Sequence, residues 1–181
     1  MPFSLVPDKA SGDPVTLAMW DSIKGNLNAG VMRPIATIEV TGSPAASIVF
    51  SSIPADYLDL LVVGSAVYNA GGDATRVRLN GDTGTNYLEQ GFSASGSTAT
   101  PYSWNIDHIT ASHRPWVFIP NYTSTTMHKS VLSLGSFDIL ELMRGASVWT
   151  NTAAVTSITL FPNGGTWDVG TRMTLYGIAG V

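Results

Sequence analysis

Cysteine is absent from this 181-residue chain, which excludes disulfides and thiolate metal centres outright. Charge is scarce as well. Charged residues make up 12% of the sequence and the formal net charge is −4, about half the charged share of an ordinary globular protein. Nucleic-acid surfaces need clustered Lys and Arg, and the 9 basic residues here are scattered, so no nucleic-acid partner is expected. No apolar run approaches the ~18 residues of a membrane-spanning helix, so no membrane partner is expected. Met1–Pro14 has no apolar core behind a basic start, and synthesis in a cytoplasm without export is the expectation. The glycosylation pattern Asn121-Tyr122-Thr123 is then not expected to be used.

Catalytic signatures are missing in the same way. There is no Gly-rich phosphate loop, no dinucleotide fingerprint and no GxSxG elbow. Asn80-Gly81-Asp82-Thr83-Gly84-Thr85 opens like a calcium loop, but Gly91 stands where the twelfth position requires a glutamate. The motif is predicted to be a turn. His108, His113 and His128 have no metal-ligand spacing, and Asp56, Asp59, Asp138 and Glu141 form no pair spaced for glycoside hydrolysis. The expectation is a protein that is not an enzyme and needs no cofactor and no metal.

What is present is a period of two. In a strand, successive side chains point to opposite faces. Ser157–Phe161 and Thr171–Ile178 alternate around a turn rich in Gly, Pro, Asn and Asp, which reads as strand, loop, strand with one buried face. Ile35–Thr41, Ser47–Ser51, Tyr57–Val67 and Thr75–Asn80 follow the same grammar. Tyr57–Val67 is apolar on both alternate sets, which predicts a strand covered on both faces. Further strands are expected at Tyr87–Phe92, Ser103–Ile109, Pro115–Ile119, His128–Leu134 and Ile139–Val148, where a short helix competes with the strand. Residues 93–101 (SASGSTATP) read as a loop. Short strands separated by turn clusters predict an all-β fold, a β-sandwich or jelly roll, over residues 31–181.

Residues 1–30 read differently. Residues 1–13 carry prolines, a glycine and no periodicity, and are expected to be an extended arm. Residues 14–28 form a predicted helix, with Asp13 as N-cap, Pro14 at the first position and Asn28-Ala29-Gly30 as the stop. Leu17, Trp20, Ile23 and Leu27 fall on one stripe. A single-stripe helix of about four turns is not stable alone. It is expected to lie on the β domain, on a neighbouring subunit or on a docking partner.

A surface that is polar yet hardly charged is weakly protected against association, and suits a protein held among other subunits. Aromatic residues near turns add candidate contacts: Tyr102, Trp104, Trp116 and Tyr122, with Trp149 and Trp167. Exposed Trp and Tyr anchor protein interfaces and also form platforms for sugar rings.

The order of several short motifs carries a resemblance. Arg33-Pro34-Ile35-Ala36 is followed by Asp59-Leu60-Leu61-Val62 and by Arg78-Leu79-Asn80-Gly81-Asp82-Thr83-Gly84-Thr85-Asn86-Tyr87. His128-Lys129-Ser130, Trp149, Ile158-Thr159-Leu160, Gly170-Thr171 and Thr174-Leu175-Tyr176-Gly177-Ile178 complete it. Together they resemble the small β-sandwich structural proteins of tailed bacteriophage virions, across most of residues 16–178. The helix ending Asn26-Leu27-Asn28 resembles the arm preceding such domains. The resemblance implies a jelly-roll-like domain, a homotrimer, and a place on the virion as a capsid decoration (cement) protein bound to the major capsid protein. The alternative it implies is a tail-fibre or receptor-binding component, docked to tail proteins and touching a host glycan or protein. It supplies no catalytic residues.

Overall fold

The computed structural model describes residues 32–180, apart from 70–73, 96–97, 107, 112 and 137–140. The predicted arm and helix, with Leu17, Trp20, Ile23 and Leu27, lie outside the described residues. Twelve strands follow in order: β1 (Met32–Glu39), β2 (Ile48–Phe50), β3 (Asp59–Ser65), β4 (Thr75–Leu79), β5 (Tyr87–Ser95) and β6 (Thr98–Ile106). Then come β7 (Ile109–Thr110), β8 (Trp116–Ile119), β9 (Lys129–Ser136), β10 (Glu141–Trp149), β11 (Ile158–Pro162) and β12 (Arg172–Ile178).

They build a two-sheet antiparallel sandwich. The large sheet runs β1-β12-β3-β8-β9-β10-β5-β6 and the small sheet β2-β11-β4-β7. The chain alternates between sheets from β1 to β4, and β7, β8, β11 and β12 continue the alternation. The pairs β5–β6 and β9–β10 interrupt it, each a hairpin added to the large sheet. Period-two burial follows directly: β4 and β11 bury every second residue, as does β12 with Met173, Leu175 and Gly177. Between the sheets lie Leu60, Val62, Val117, Ile119, Val131, Met173 and Leu175 from one side. Ile48, Phe50, Val77, Leu79, Ile109, Ile158 and Leu160 meet them from the other.

Residues 157–161 and 171–178 fall on strands as expected, in different sheets: β11 belongs to the small sheet and β12 to the large one. The turn between them sends Trp167 inward, fully buried and bridged to Ala45 and Tyr68. Residues 93–95 and 98–101 are not loop. They finish β5 and begin β6, because β5 is paired along its length with both β10 and β6, and backbone pairing needs no apolar side chains. Tyr57–Val67 is a strand over Asp59–Ser65 and is covered on both faces only in part: Leu60 and Val62 are buried on the inner face and Leu61 on the outer one, whereas Val63, beside Leu61, is exposed.

The Asn80–Asn86 motif is a structural lock. Asn80 and Gly81 both take positive φ, and Asp82 N–H donates to the Leu79 carbonyl at 3.0 Å, closing a two-residue turn of the type Asn-Gly favours. The Asn80 side chain accepts from Thr156 N–H (2.8 Å) and Ser157 N–H (3.1 Å) and donates to Ala154 (2.8 Å), tying the turn to the loop before β11. Asp82 accepts from Gly84 N–H (2.9 Å), from Asn86 and from Trp149 Nε1 (2.7 Å). Burial opposes its charge, but the hydrogen bonds from Trp149, Gly84 and Asn86 outweigh that, so its pKa lies below the ordinary carboxylate value. A carboxyl depressed in the folded state stabilises above its unfolded pKa and loses that contribution as pH falls through the folded one. Asp82→Asn is therefore expected to lower stability at neutral pH. It should also flatten the loss of stability below about pH 4, as measured by urea unfolding at a series of pH values. Equal acid sensitivity in both chains would contradict the assignment.

Candidate interaction surface

The carboxylates whose contacts are defined serve the fold. Asp59 accepts from Asn121 N–H at 2.9 Å, Asp168 from Val169 N–H at 2.9 Å, and buried Glu89 from Thr110 N–H at 2.8 Å, joining β5 to β7. His108 packs edge-on against Phe161 and His113 lies against Tyr68. Among the described residues no group of three His, Asp or Glu could hold a metal ion.

The inner side of β9 holds a buried cation. Lys129 is 1% exposed, and its Nζ donates to the carbonyls of Ser124 (2.7 Å), Met127 (2.9 Å) and Thr152 (3.1 Å). Burial pulls its pKa below the ordinary lysine value. Ser133 on β9 and Ser147 on β10 are also buried, and neither hydroxyl has a hydrogen-bond partner.

This inner polarity has an outer counterpart. Lys129, Val131 and Ser133 face the core, so Leu132 and Leu134 point outward, 44% and 43% exposed. The usual apolar-in, polar-out order is inverted at Lys129, Leu132, Ser133 and Leu134 of this strand, though Val131 still faces inward. The register then gathers an apolar surface. One cross-strand row runs Tyr176, Leu61, Phe118, Leu132 and Ala146. The next runs Thr174, Val63, Trp116, Leu134 and Arg144. Trp116 stacks on Phe118 with ring centroids 6.0 Å apart, and beyond β9 the face continues through Val148 on β10 to Leu88 on β5. The exposure of Val63 (37%), Trp116 (37%) and Leu88 (48%) matches that of the two leucines. Single exposed apolar residues are ordinary, but a contiguous apolar face marks an interaction site.

The outer face of the small sheet is different. It presents Arg76, Arg78 and Thr159 beside Val49, with the Arg78 guanidinium 4.5 Å from the Phe161 ring centroid. Only the large sheet offers a broad apolar face among the described residues.

The aromatic candidates separate on this frame. Trp116 is on strand β8, within the expected strand Pro115–Ile119, at the middle of the apolar face. Tyr122 is withdrawn into the core, 1% exposed, with its hydroxyl donating to the Pro54 carbonyl, and leaves no ring surface for an outside ligand. Burial raises its pKa above the ordinary tyrosine value. Trp149 and Trp167 are core residues. Tyr102 and Trp104 lie on β6, opposite Gly91 and Glu89, and their side chains are outside the described residues. Leu132, Leu134 and Leu88 were not singled out by sequence. The signal for Leu132 and Leu134 was the KSVLSLGS alternation, whose apolar half an ordinary reading assigns to the core.

Comparison with models of known protein families and with curated proteins gives no match for this chain.

Proposed function

We propose that this chain is a non-enzymatic structural protein of a tailed-phage virion, acting as a capsid decoration (cement) protein that oligomerises, as a homotrimer, and binds the major capsid protein. The observation that carries a binding role is the apolar outer face of the large sheet, centred on Trp116, Phe118, Leu132 and Leu134. Buried aromatic and aliphatic clusters of this kind dominate protein interfaces once covered. The virion setting rests on the motif order that resembles phage β-sandwich proteins. A jelly-roll-like fold fits as well: without the two added hairpins, the strands order as β1-β12-β3-β8 over β2-β11-β4-β7, interleaving early and late strands in both sheets.

A decoration protein acts without a reaction. It binds the assembled shell and not its dissociated parts, so it stabilises the shell by mass action. Adding the full chain to purified shells that lack it is expected to give saturable co-sedimentation and a higher shell-disassembly temperature that depends on chain concentration. Co-sedimentation without any rise in that temperature would overturn the cement role.

A further inference from the structure

We infer that β6 is a docking edge for a second copy of this chain. It pairs antiparallel with the copy's own β6 about a two-fold axis, so that the two large sheets run on as one. This contact is separate from the apolar face and lies at the rim of the same sheet.

Among the described residues the sandwich has four edge strands, and three of them are guarded. A sheet edge carries a row of unpaired N–H and C=O groups, and proteins protect it by shortness, bulges, proline or charge. In the small sheet the edges are β2, three residues long, and β7, two residues long. In the large sheet β1 is longer, but its register with β12 shifts between Pro34 and Ala36, and it carries Arg33, Pro34 and Glu39. β6 differs. It runs nine residues, Thr98–Ile106, its register with β5 is unbroken, and its sequence TATPYSWNI holds no charge. Among the described residues β5 is the only strand paired with it, so its other edge is open.

Pro101 is its one guard. Proline in an edge strand turns its missing N–H toward the open side, so it removes one donor there. Backbone groups alternate between the two edges of a strand, which puts Ala99, Ser103 and Asn105 on that same side. Past Pro101 the five residues of Tyr102–Ile106 hold no further proline. Ser103 and Asn105 there keep both donor and acceptor for an incoming strand.

The occupant follows from what matches this edge. β2 and β7 are too short to answer Tyr102–Ile106, and the β1 bulge breaks the register that an incoming strand needs. Another β6 matches in length and chemistry. An antiparallel pair of identical strands is self-complementary, and its two-fold closes without leaving a free edge of the same kind. No charge on either strand opposes the approach. Ser103 and Asn105 stand opposite Gln90 and Leu88, in the rows of Ala146 and Val148, so the outer face of the sheet continues from one copy to the next. Such a two-fold contact is distinct from the homotrimer proposed above and joins one oligomer to another.

The absence of cysteine makes the test direct. Ser103→Cys, Asn105→Cys and an equal mixture of the two are oxidised as full chains at micromolar concentration. Met32→Cys, at the 49% exposed first residue of β1, is the reference. One of the three samples is expected to give interchain disulfide at least several-fold above the reference. In the unsubstituted chain, amide hydrogen exchange at Ser103 and Asn105 should slow as protein concentration rises. Linking no greater than at Met32 in all three samples, or exchange independent of concentration, would overturn the inference. Repeating the oxidation with Trp116→Ala and Leu132→Asp present separates the two contacts. The disulfide should persist, and its loss would place the link on the apolar face and overturn the edge pairing. The reading of that face fails separately, if the same two substitutions leave sedimentation unchanged.

Discussion

A chain carrying Lys129→Met is expected to be less stable than the wild type by about 1–3 kcal/mol, the cost of leaving hydrogen-bond acceptors without their donor. Methionine keeps the aliphatic stem and the packing against the core. It removes the ammonium that serves the carbonyls of Ser124, Met127 and Thr152. These carbonyls belong to two loops, one entering β9 and one leaving β10, and the ammonium is their shared anchor. At about 2–4 °C per kcal/mol for a chain of this size, Tm should fall by several degrees. Lys129→Arg should not rescue it, since a planar fork does not replace a compact three-donor ammonium. Ser133→Ala is the internal control: its buried hydroxyl has no partner, so its loss should be close to neutral. Urea unfolding of the variants decides the matter. A Lys129→Met chain within about 1 kcal/mol of wild type would show that the loops hold without the cation.

The second large effect concerns association. Trp116→Ala combined with Leu132→Asp should leave the fold intact, because both side chains point away from the core and are 37% and 44% exposed. Aromatic anchors at the centre of an interface typically cost 2 kcal/mol or more on truncation, which is a factor of about 30. A carboxylate buried on the same face adds to that loss. Sedimentation equilibrium of the full chain should therefore show self-association weakened by at least about 30-fold, with an unchanged circular dichroism spectrum and Tm. Val49→Asp on the small sheet, where exposure is similar at 46%, should change nothing. Equal effects from the two faces would remove the assignment of the large sheet as the binding surface.

How far the sequence carried depends on the kind of interaction involved. β4, β11 and β12 were legible because each buries alternate apolar residues and exposes polar ones. Asn80-Gly81 was legible as a turn because positive φ at both positions favours that pair. The end of β5 and start of β6 were not, since their small polar residues are strand by virtue of backbone pairing to neighbours far along the chain. Lys129 was equally hidden: its partners are backbone carbonyls, which leave no trace in side-chain spacing. Trp116 was flagged for its chemistry and stands exposed on its expected strand, whereas Tyr122, flagged on the same ground, is core. The inverted strand β9 shows why. Alternation identifies the two faces of a strand, but it is the sheet partners that decide which face is inward.

Copy number in purified virions tests the central claim most directly, by quantitative mass spectrometry against the major capsid protein. The decoration role predicts copies comparable with the capsid protein. A handful per particle would contradict decoration and move the chain to the tail or fibre, and absence from particles would contradict any virion role.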